Sequence, residues 1–395
     1  MSHPLSTHAP AAAGPRVQTT AVELRSGLQM LLGEHVRLTV VLMRERIAGV
    51  DERTQATVVS VDRNADELSA VIGELYGKDA AASFGQLWAA HVRQLQDYAA
   101  GLVDRDEAAK QQARSRLQVT EGDIGRLLSS AVQAALTPEQ VEDAIRMHVD
   151  TLLAQADAYA AKDWTRAYEV GRECFSHMLM TADVLAGPIA ASQGLPVTEL
   201  QAPRRLLQSA LSRLLAEHMG LMVEAMRAAA DRAPELQAAT TTLNANTSEL
   251  ATAMRALYGD IAARRFLQVW AGHVEGLVAY ATATAGGDEG ARSSSGEALD
   301  RFAGEIGAFL STATDGRLPA AELTAAVTAH DRDLTSLTDA WAAKDFSRAQ
   351  ELSASGYRHM FTLAETLAEA VGDEVAAGLP RGGAQTGGGG TVGES

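Results

Sequence analysis

Histidine is the residue type in this 395-residue chain whose spacing most clearly points to chemistry. Eight of the ten histidines form four matched pairs, and the members of each pair lie 182 or 183 residues apart. The pairs are His35 and His218, His91 and His273, His148 and His330, and His177 and His359. Neutral imidazole is a common ligand of transition metals and also binds haem iron. The spacing therefore indicates a repeated unit with four candidate ligands in each copy.

Other segments repeat at nearly the same separation. Leu-Tyr-Gly at residues 75–77 recurs at 257–259, and Ala-Ala-Lys-Asp-Trp at 160–164 recurs as Ala-Ala-Lys-Asp-Phe at 342–346. A period of this length is too long for a solenoid repeat and predicts a tandem duplication of a domain. We predict a disordered lead-in at 1–20, a first copy at 21–192, a linker at 193–203, a second copy at 204–372 and a flexible Gly-rich tail at 373–395.

Apolar residues at spacings of three and four predict an all-α fold, with a bundle of about six helices in each copy. In the first copy we place the helices at 21–48, 51–75, 78–102, 106–135, 138–161 and 164–191. Thr137 before Pro138, with Gln140 three residues after the threonine, is typical of a helix start. Gly77 is suited to a left-handed helix stop. No alternating run of β-branched residues favours a sheet.

The four histidines of a copy fall on the first, third, fifth and sixth helices. His35 continues an apolar stripe that includes Leu28, Leu31 and Leu38, and the other histidines also lie on apolar faces. Each lies near the middle of its helix. At a rise of 1.5 Å per residue, the positions of the four histidines along their helix axes differ by about 6 Å. We therefore expect one buried layer of four imidazoles in each copy.

Six acidic and tyrosine residues are candidates to support the ring nitrogens that do not face a ligand. They are Glu34, Glu217, Asp157, Asp339, Tyr98 and Tyr280. Glu34 and Glu217 adjoin histidines but are turned about 100° around the helix, so solvent exposure is the competing interpretation for them. Solvated helix faces are also the alternative for the aspartates.

A layer of four imidazoles suits a copper or zinc ion, and paired imidazoles could instead ligate haem. The corresponding function is metal or haem binding for storage, sensing or electron transfer. The alternative is an interaction or scaffold protein whose buried histidines are structural. We assign no catalytic residue, because the sequence motifs of hydrolases, kinases and dehydrogenases are absent; whether the protein is an enzyme is left open.

Composition excludes several other classes of site and partner. A net charge of −16 and a pI near 5.1 argue against a nucleic-acid partner, which requires clustered Lys and Arg. Cys174 is the only cysteine, so neither an intrachain disulfide nor a cysteine-based zinc or iron–sulfur site can form. We find no secretory signal and no uncharged apolar run long enough to span a membrane. The expected location is the cytoplasm, without membrane insertion.

The recurring segments also resemble a known group of bacterial domains. These segments are Glu-His-Val, Leu-Tyr-Gly, Phe-x-x-Leu-Trp-x-x-His, Tyr-Ala-Ala-Lys-Asp-Trp and His-Met. They look like those of duplicated all-helical domains in extracellular proteins of spore-forming bacteria, some of which carry the label copper amine oxidase N-terminal-like. The resemblance covers both copies and implies an all-helical fold. It assigns no established chemical role to particular residues.

Overall fold

The computed structural model describes residues 20–132 and 135–377, with side chains described as far as residue 372. These ranges contain α-helices, one short 3-10 helix and no strand, so the all-α prediction is confirmed. The helices are α1 (Ala21–Ala48), α2 (Asp51–Tyr76), α3 (Lys78–Asp104), α4 (Glu107–Ala131), α5 (Pro138–Ala160), α6 (Trp164–Ser192), α7 (Pro203–Ala230), α8 (Leu236–Gly286), α9 (Glu289–Ala313), α10 (Ala320–Ala342) and α11 (Phe346–Ala377). The predicted lead-in lies outside the described residues.

Local sequence signals account for several of the helix ends. At the start of α5 the Thr137 side chain accepts from the Gln140 amide, and the Gln140 side chain accepts from the Thr137 amide, so both exposed donors are satisfied. Gly77 separates α2 from α3 with φ 91° and ψ 171°, and Gly259 interrupts α8 with φ 82° and ψ 179°. Both glycines occupy a region of backbone space that side-chain-bearing residues rarely adopt. The same break therefore occurs at matched positions of the chain.

Within the first half (residues 20–192), consecutive helices pack against one another, and α6 returns to pack on α1. Because short loops alternate the helix direction, α1, α3 and α5 run roughly parallel, and these three also contact one another. The second half (residues 203–377) repeats this arrangement with α7, the part of α8 after Gly259, and α10. Three alternate helices in each half therefore meet along its interior.

Three helices of the second half have the same length as the helices at the corresponding positions of the first half. Both α1 and α7 have 28 residues, α4 and α9 have 25, and α5 and α10 have 23. The largest cluster of buried apolar residues nevertheless extends through both halves and includes Leu31, Phe175, Met219 and Tyr357. The halves thus share a core.

The segment predicted as a linker is partly ordered. It contains the 3-10 helix Thr198–Gln201, in which Leu200 is buried and its carbonyl accepts a 3.0 Å hydrogen bond from Arg25 Nη1. At the other end of the second half, α11 continues past Gly372 to Ala377, so the predicted tail begins as helix.

By length and apolar composition, α6 is the one helix in the described part of the chain that could cross a membrane. In this structure it packs against α1 and α5 and buries Cys174, Leu179 and Ala182 completely. A buried core helix meets the same compositional test, so the composition of α6 is weak evidence for a membrane span.

Candidate metal centres

His35, His91 and His148 form a buried group in the first half, which we call the first-half triad. They project from α1, α3 and α5, and each is 1% exposed. The ring centres are 5.5 Å apart for His35 and His91, 5.4 Å for His35 and His148, and 5.5 Å for His91 and His148. One ring nitrogen from each histidine lies within 4.8 Å of the other two. The three imidazoles therefore bring ring nitrogens close enough together that they could hold a metal ion.

His177, the fourth histidine expected in this layer, lies outside the triad. Its Nε2 is 2.9 Å from the carbonyl oxygen of Ala144, and its side chain is only half-buried. The physical reason is that α6 does not share the interior line along which α1, α3 and α5 meet. The structure thus brings together three histidines of this half rather than four.

Burial keeps the triad in the form that binds metals. Removal from water lowers the pKa of His91 to about 4, and it lowers the pKa of His35 and His148 well below the usual range, with neighbouring imidazoles adding to the effect. Neutral imidazole has a free lone pair, whereas imidazolium does not. Both nitrogens of His35, Nε2 of His91 and Nε2 of His148 have no hydrogen-bond partner among the described residues.

The ring separations agree with those of a coordinated ion. With zinc–nitrogen bonds of about 2.0–2.1 Å, an ion lies about 3.2 Å from each ring centre, so tetrahedral ligands have centres about 5.2 Å apart. The observed separations of 5.4–5.5 Å are slightly wider. Bringing the coordinating nitrogens to the corresponding spacing of about 3.3 Å needs inward ring movements of about 1 Å or less.

Trp88 and Cys174 complete the surroundings of the triad. The Trp88 ring centre is 4.6 Å from that of His35, and the Phe84 ring stacks on Trp88. Cys174 Sγ is 3.5 Å from His148 Nδ1, and burial raises the pKa of its thiol to about 12. Cys174 is completely buried, and its contact restricts the orientation of the His148 ring.

The second half contains a related but different group, the second-half cluster of His218, His273, His330 and Asp331. His218 Nε2 is 3.3 Å from His273 Nε2, while His273 Nδ1 is 3.1 Å from Asp331 Oδ1. The ring centres of His273 and His330 are 5.8 Å apart, and His273, His330 and Asp331 offer ligand atoms within 4.8 Å of one another. His359, the expected fourth histidine, is exposed at the surface.

Asp331 is the residue of this cluster that sequence comparison missed. Its position corresponds to Val149 in the first half, so a search for residues common to both copies passes over it. Burial raises its pKa to about 7, although the nearby His330 lowers it. Burial also lowers the pKa of His273 and His330 to about 3. The signal available in the sequence was an aspartate directly after an inward histidine.

The six residues expected to support the ring nitrogens have other partners in the structure. Tyr98 donates to both carboxylate oxygens of Asp157 at 3.0 Å. Tyr280 does the same to Asp339 at 3.2 Å, and Arg292 Nη2 also reaches Asp339 at 2.8 Å. These pairs join α3 to α5 in the first half and α8 to α10 in the second half.

Glu34 and Glu217 are buried rather than solvent-facing, because each meets an arginine from the opposite half. Arg358 Nη2 is 2.9 Å from Glu34 Oε2, and Arg172 donates two hydrogen bonds to Glu217, at 3.0 and 2.7 Å. The carboxylates next to the histidines therefore bind the two halves together.

Comparison with known proteins adds no functional assignment: no protein-family model, curated protein or solved structure matches this chain. The resemblance of its recurring segments to bacterial helical domains stays an expectation. The geometry of the two histidine groups is thus the basis for a functional proposal.

Proposed function

We propose that the protein binds transition-metal ions at its two buried histidine groups, one in each half, for storage, sensing or electron transfer. The observation that carries this proposal is the first-half triad, in which three buried neutral imidazoles each offer a ring nitrogen within 4.8 Å of the other two, and each has at least one nitrogen without a hydrogen-bond partner among the described residues. Each unpartnered buried polar group costs on the order of 1–3 kcal/mol, and coordination of one ion would satisfy three of them at once.

A single ion fits the triad better than haem. In a haem with two axial histidines the porphyrin lies between the two imidazoles. In the first half, the third ring has its centre about 5.5 Å from each of the other two, so it occupies the space that the porphyrin would need. Imidazole nitrogen is a good ligand for copper and zinc, which are the ions we propose.

The two groups differ in charge and should differ in ion preference. The first-half triad offers only neutral ligands, which suits monovalent copper as well as zinc. The second-half cluster adds the Asp331 carboxylate 3.1 Å from His273, and a carboxylate offsets part of the charge of a divalent ion. We therefore expect divalent zinc to bind more tightly in the second half.

The test is metal stoichiometry measured on untagged protein. Elemental analysis and calorimetric titration should give about two ions per chain, and His91→Gln should remove the first-half ion alone. Asp331→Asn should weaken the second-half site by about 10-fold or more. His177→Gln and His359→Gln are matched controls outside the two groups and should leave both sites intact. Unchanged stoichiometry in His91→Gln, or equal loss in His177→Gln, would reject the assignment.

The second candidate function is a scaffold or interaction protein with structural histidines. It is favoured by the second-half contacts between His218, His273 and Asp331, in which neighbouring side chains face both nitrogens of the His273 ring. On this alternative the purified protein contains no stoichiometric metal. A chelator would then leave its melting temperature unchanged. If the protein does bind metal, removal of an ion present at 100 times its Kd would lower the free energy of unfolding by about 2.7 kcal/mol.

A further inference from the structure

Asn246 of α8 is a completely buried amide next to the second-half cluster. Its Nδ2 donates to the carbonyl oxygen of Leu214 at 3.1 Å and to Oε2 of Glu217 at 2.7 Å, so both hydrogens of this nitrogen are engaged. Because both partners are acceptors, the nitrogen and the oxygen of the amide cannot be exchanged. Asn246 Oδ1 is left as an acceptor without a hydrogen-bond partner of ordinary geometry among the described residues.

The neighbour of this oxygen is the imidazole of His218. Leu214, whose carbonyl accepts from Asn246, lies about one helical turn before His218 in α7. Burial and the nearby His273 hold the pKa of His218 well below its usual range, and a side-chain contact with Asn246 opposes this shift. A contact that raises the pKa of a histidine must supply an acceptor, and Oδ1 is the acceptor of the Asn246 side chain.

The two ring nitrogens of His218 have different surroundings. Nε2 lies 3.3 Å from Nε2 of His273, which matches the spacing of about 3.3 Å expected for two nitrogens on one zinc ion. Nδ1 is buried and has no hydrogen-bond partner of ordinary geometry among the described residues. A neutral imidazole carries one proton, so Nε2 can bind an ion only when Nδ1 holds that proton. The ring therefore needs an acceptor at Nδ1.

The Asn246 amide is itself anchored by an ion pair between the halves. Glu217 Oε2, which accepts from Asn246, also accepts from Arg172 Nη2 at 2.7 Å. Arg172 belongs to α6 of the first half, and Glu217 is only 4% exposed. The position of the amide next to His218 is thus fixed by buried, charge-assisted hydrogen bonds.

We propose that Asn246 is a positioning residue of the second-half cluster, whose Oδ1 accepts the Nδ1 proton of His218 and so leaves the Nε2 lone pair for the ion. This inference rests on the proposed metal binding and adds the residue that selects the binding form of one ligand. Partners of this kind orient metal-binding imidazoles and typically change metal affinity by about 10–100-fold. Glu217, which the sequence suggested as a direct support of a ring nitrogen, acts through Asn246.

The first half provides a matched residue for comparison. Asn64 is also completely buried, and its Nδ2 donates to the carbonyl oxygen of Leu31 at 3.0 Å, about one turn before His35. In the described part of the chain, no hydrogen bond from Asn64 to Glu34 accompanies this contact. Asn64 is therefore held by one hydrogen bond where Asn246 has two.

The first test is the proton position in the metal-free protein at pH 7. Two-bond proton–nitrogen NMR of protein with ¹⁵N-labelled histidine distinguishes a protonated ring nitrogen from an unprotonated one, and His218→Gln identifies the His218 signals. The natural protein should carry the His218 proton on Nδ1. Asn246→Leu, which has a similar volume and no acceptor, should lose this preference. Asn64→Leu is the matched control and should leave the His218 signals unchanged.

The second test is zinc affinity, measured by competition with a chelator. Asn246→Leu should weaken the second-half site by about 10-fold or more and leave the first-half site unchanged. Asn64→Leu should leave the second-half site unchanged. If Asn246→Leu does not fold, Asn246→Ala removes the same acceptor and should give the same two results.

The two measurements separate the positioning role from metal binding itself. If the natural protein binds no zinc, but its His218 proton lies on Nδ1 and moves in Asn246→Leu, then metal binding is rejected and the contact between Asn246 and His218 is supported. A proton on Nε2 of His218 in the metal-free natural protein would overturn the positioning role whether or not zinc binds. An unchanged proton position and zinc affinity in the Asn246 variant would overturn it as well.

Discussion

Arg172 of α6 and Glu217 of α7 form a two-point ion pair between the halves of the chain, with Nε–Oε1 and Nη2–Oε2 distances of 3.0 and 2.7 Å. The same arginine reaches Glu249 at 2.9 Å. In the opposite direction, Arg358 contacts Glu34 and Glu67. The acceptors occupy matched positions in the two halves, whereas the arginines do not: Arg172 corresponds to Ala354 and Arg358 to Ser176.

We expect Arg172→Met to destabilise the protein by about 3 kcal/mol, because Glu217 would keep its burial and lose its main counter-ion. Adding Glu217→Gln to that variant should recover much of the loss, since the uncompensated charge is then gone. Urea unfolding measures both changes. Arg348→Met, which breaks an exposed pair with Glu351, serves as the control and should cost less than about 1 kcal/mol.

Glu45 should make stability depend on pH. Burial raises its pKa from 4.5 to about 7, although the hydrogen bond from Thr57 lowers it. The folded protein therefore holds this proton more tightly than the unfolded chain does. The resulting stabilisation is complete below pH 4.5 and is lost as the pH rises through 7.

Glu45→Gln keeps the shape of the side chain and removes the loss of stability that occurs as the pH rises. At pH 8.5 the variant should be more stable than the natural protein by up to about 3 kcal/mol, and near pH 4.5 the difference should vanish. Glu224→Gln is the matched control: burial opposes ionisation of Glu224, but Arg227 and Arg44 outweigh it and lower the pKa. That variant should lose stability above pH 4.5. The same sign for both variants at pH 8.5 would contradict this account.

Trp88 should report on metal binding in the first half, since its ring centre is 4.6 Å from that of His35. Divalent copper bound to the triad should quench Trp88 emission. Trp88→Phe should remove the first-half part of the quenching while Trp164→Phe leaves it, because Trp164 packs on Tyr159 rather than on a histidine. Trp270 is the corresponding probe in the second half, since its ring centre is 4.9 Å from that of His218. Quenching that survives Trp88→Phe and Trp270→Phe together would place the copper elsewhere.

Cys174 should tune the first-half site through His148. Cys174→Ala removes the contact at 3.5 Å that restricts the imidazole, and we expect about a 10-fold loss of metal affinity there. The second half provides an internal control, because Gly356 occupies the matched position and no thiol is involved. Competition titration against a chelator of known affinity resolves the two sites. An equal loss at both sites would show a general effect on stability instead.

The helices could be predicted closely because the signals that define them are local. The capping residues of α5 and the glycine at 77 act within a few positions, and the predicted ends in the first half lie within four residues of those observed. The proximity of His35, His91 and His148 could be predicted from their positions along the helices and from the apolar faces on which they lie. The sequence carried no equivalent signal for the rotation of His177 toward Ala144.

The remaining features depend on contacts between distant parts of the chain. Comparison of the two copies finds matched residues and is blind to Asp331, which has an apolar counterpart. The pairing of Arg358 with Glu34 joins residues 324 positions apart, and neither position indicates the other. Burial of Glu34 and Glu217 could not be inferred from their helix faces, because a second half covers those faces.

The reciprocal ion pairs between arginines and carboxylates of the two halves have a consequence for how a single half could associate. Each half carries the acceptor carboxylates at the same place and an arginine on its last long helix, and both α6 and α11 reach across to the opposite half. A polypeptide of one half alone would thus bear a self-complementary face and could pair with a second copy about a twofold axis.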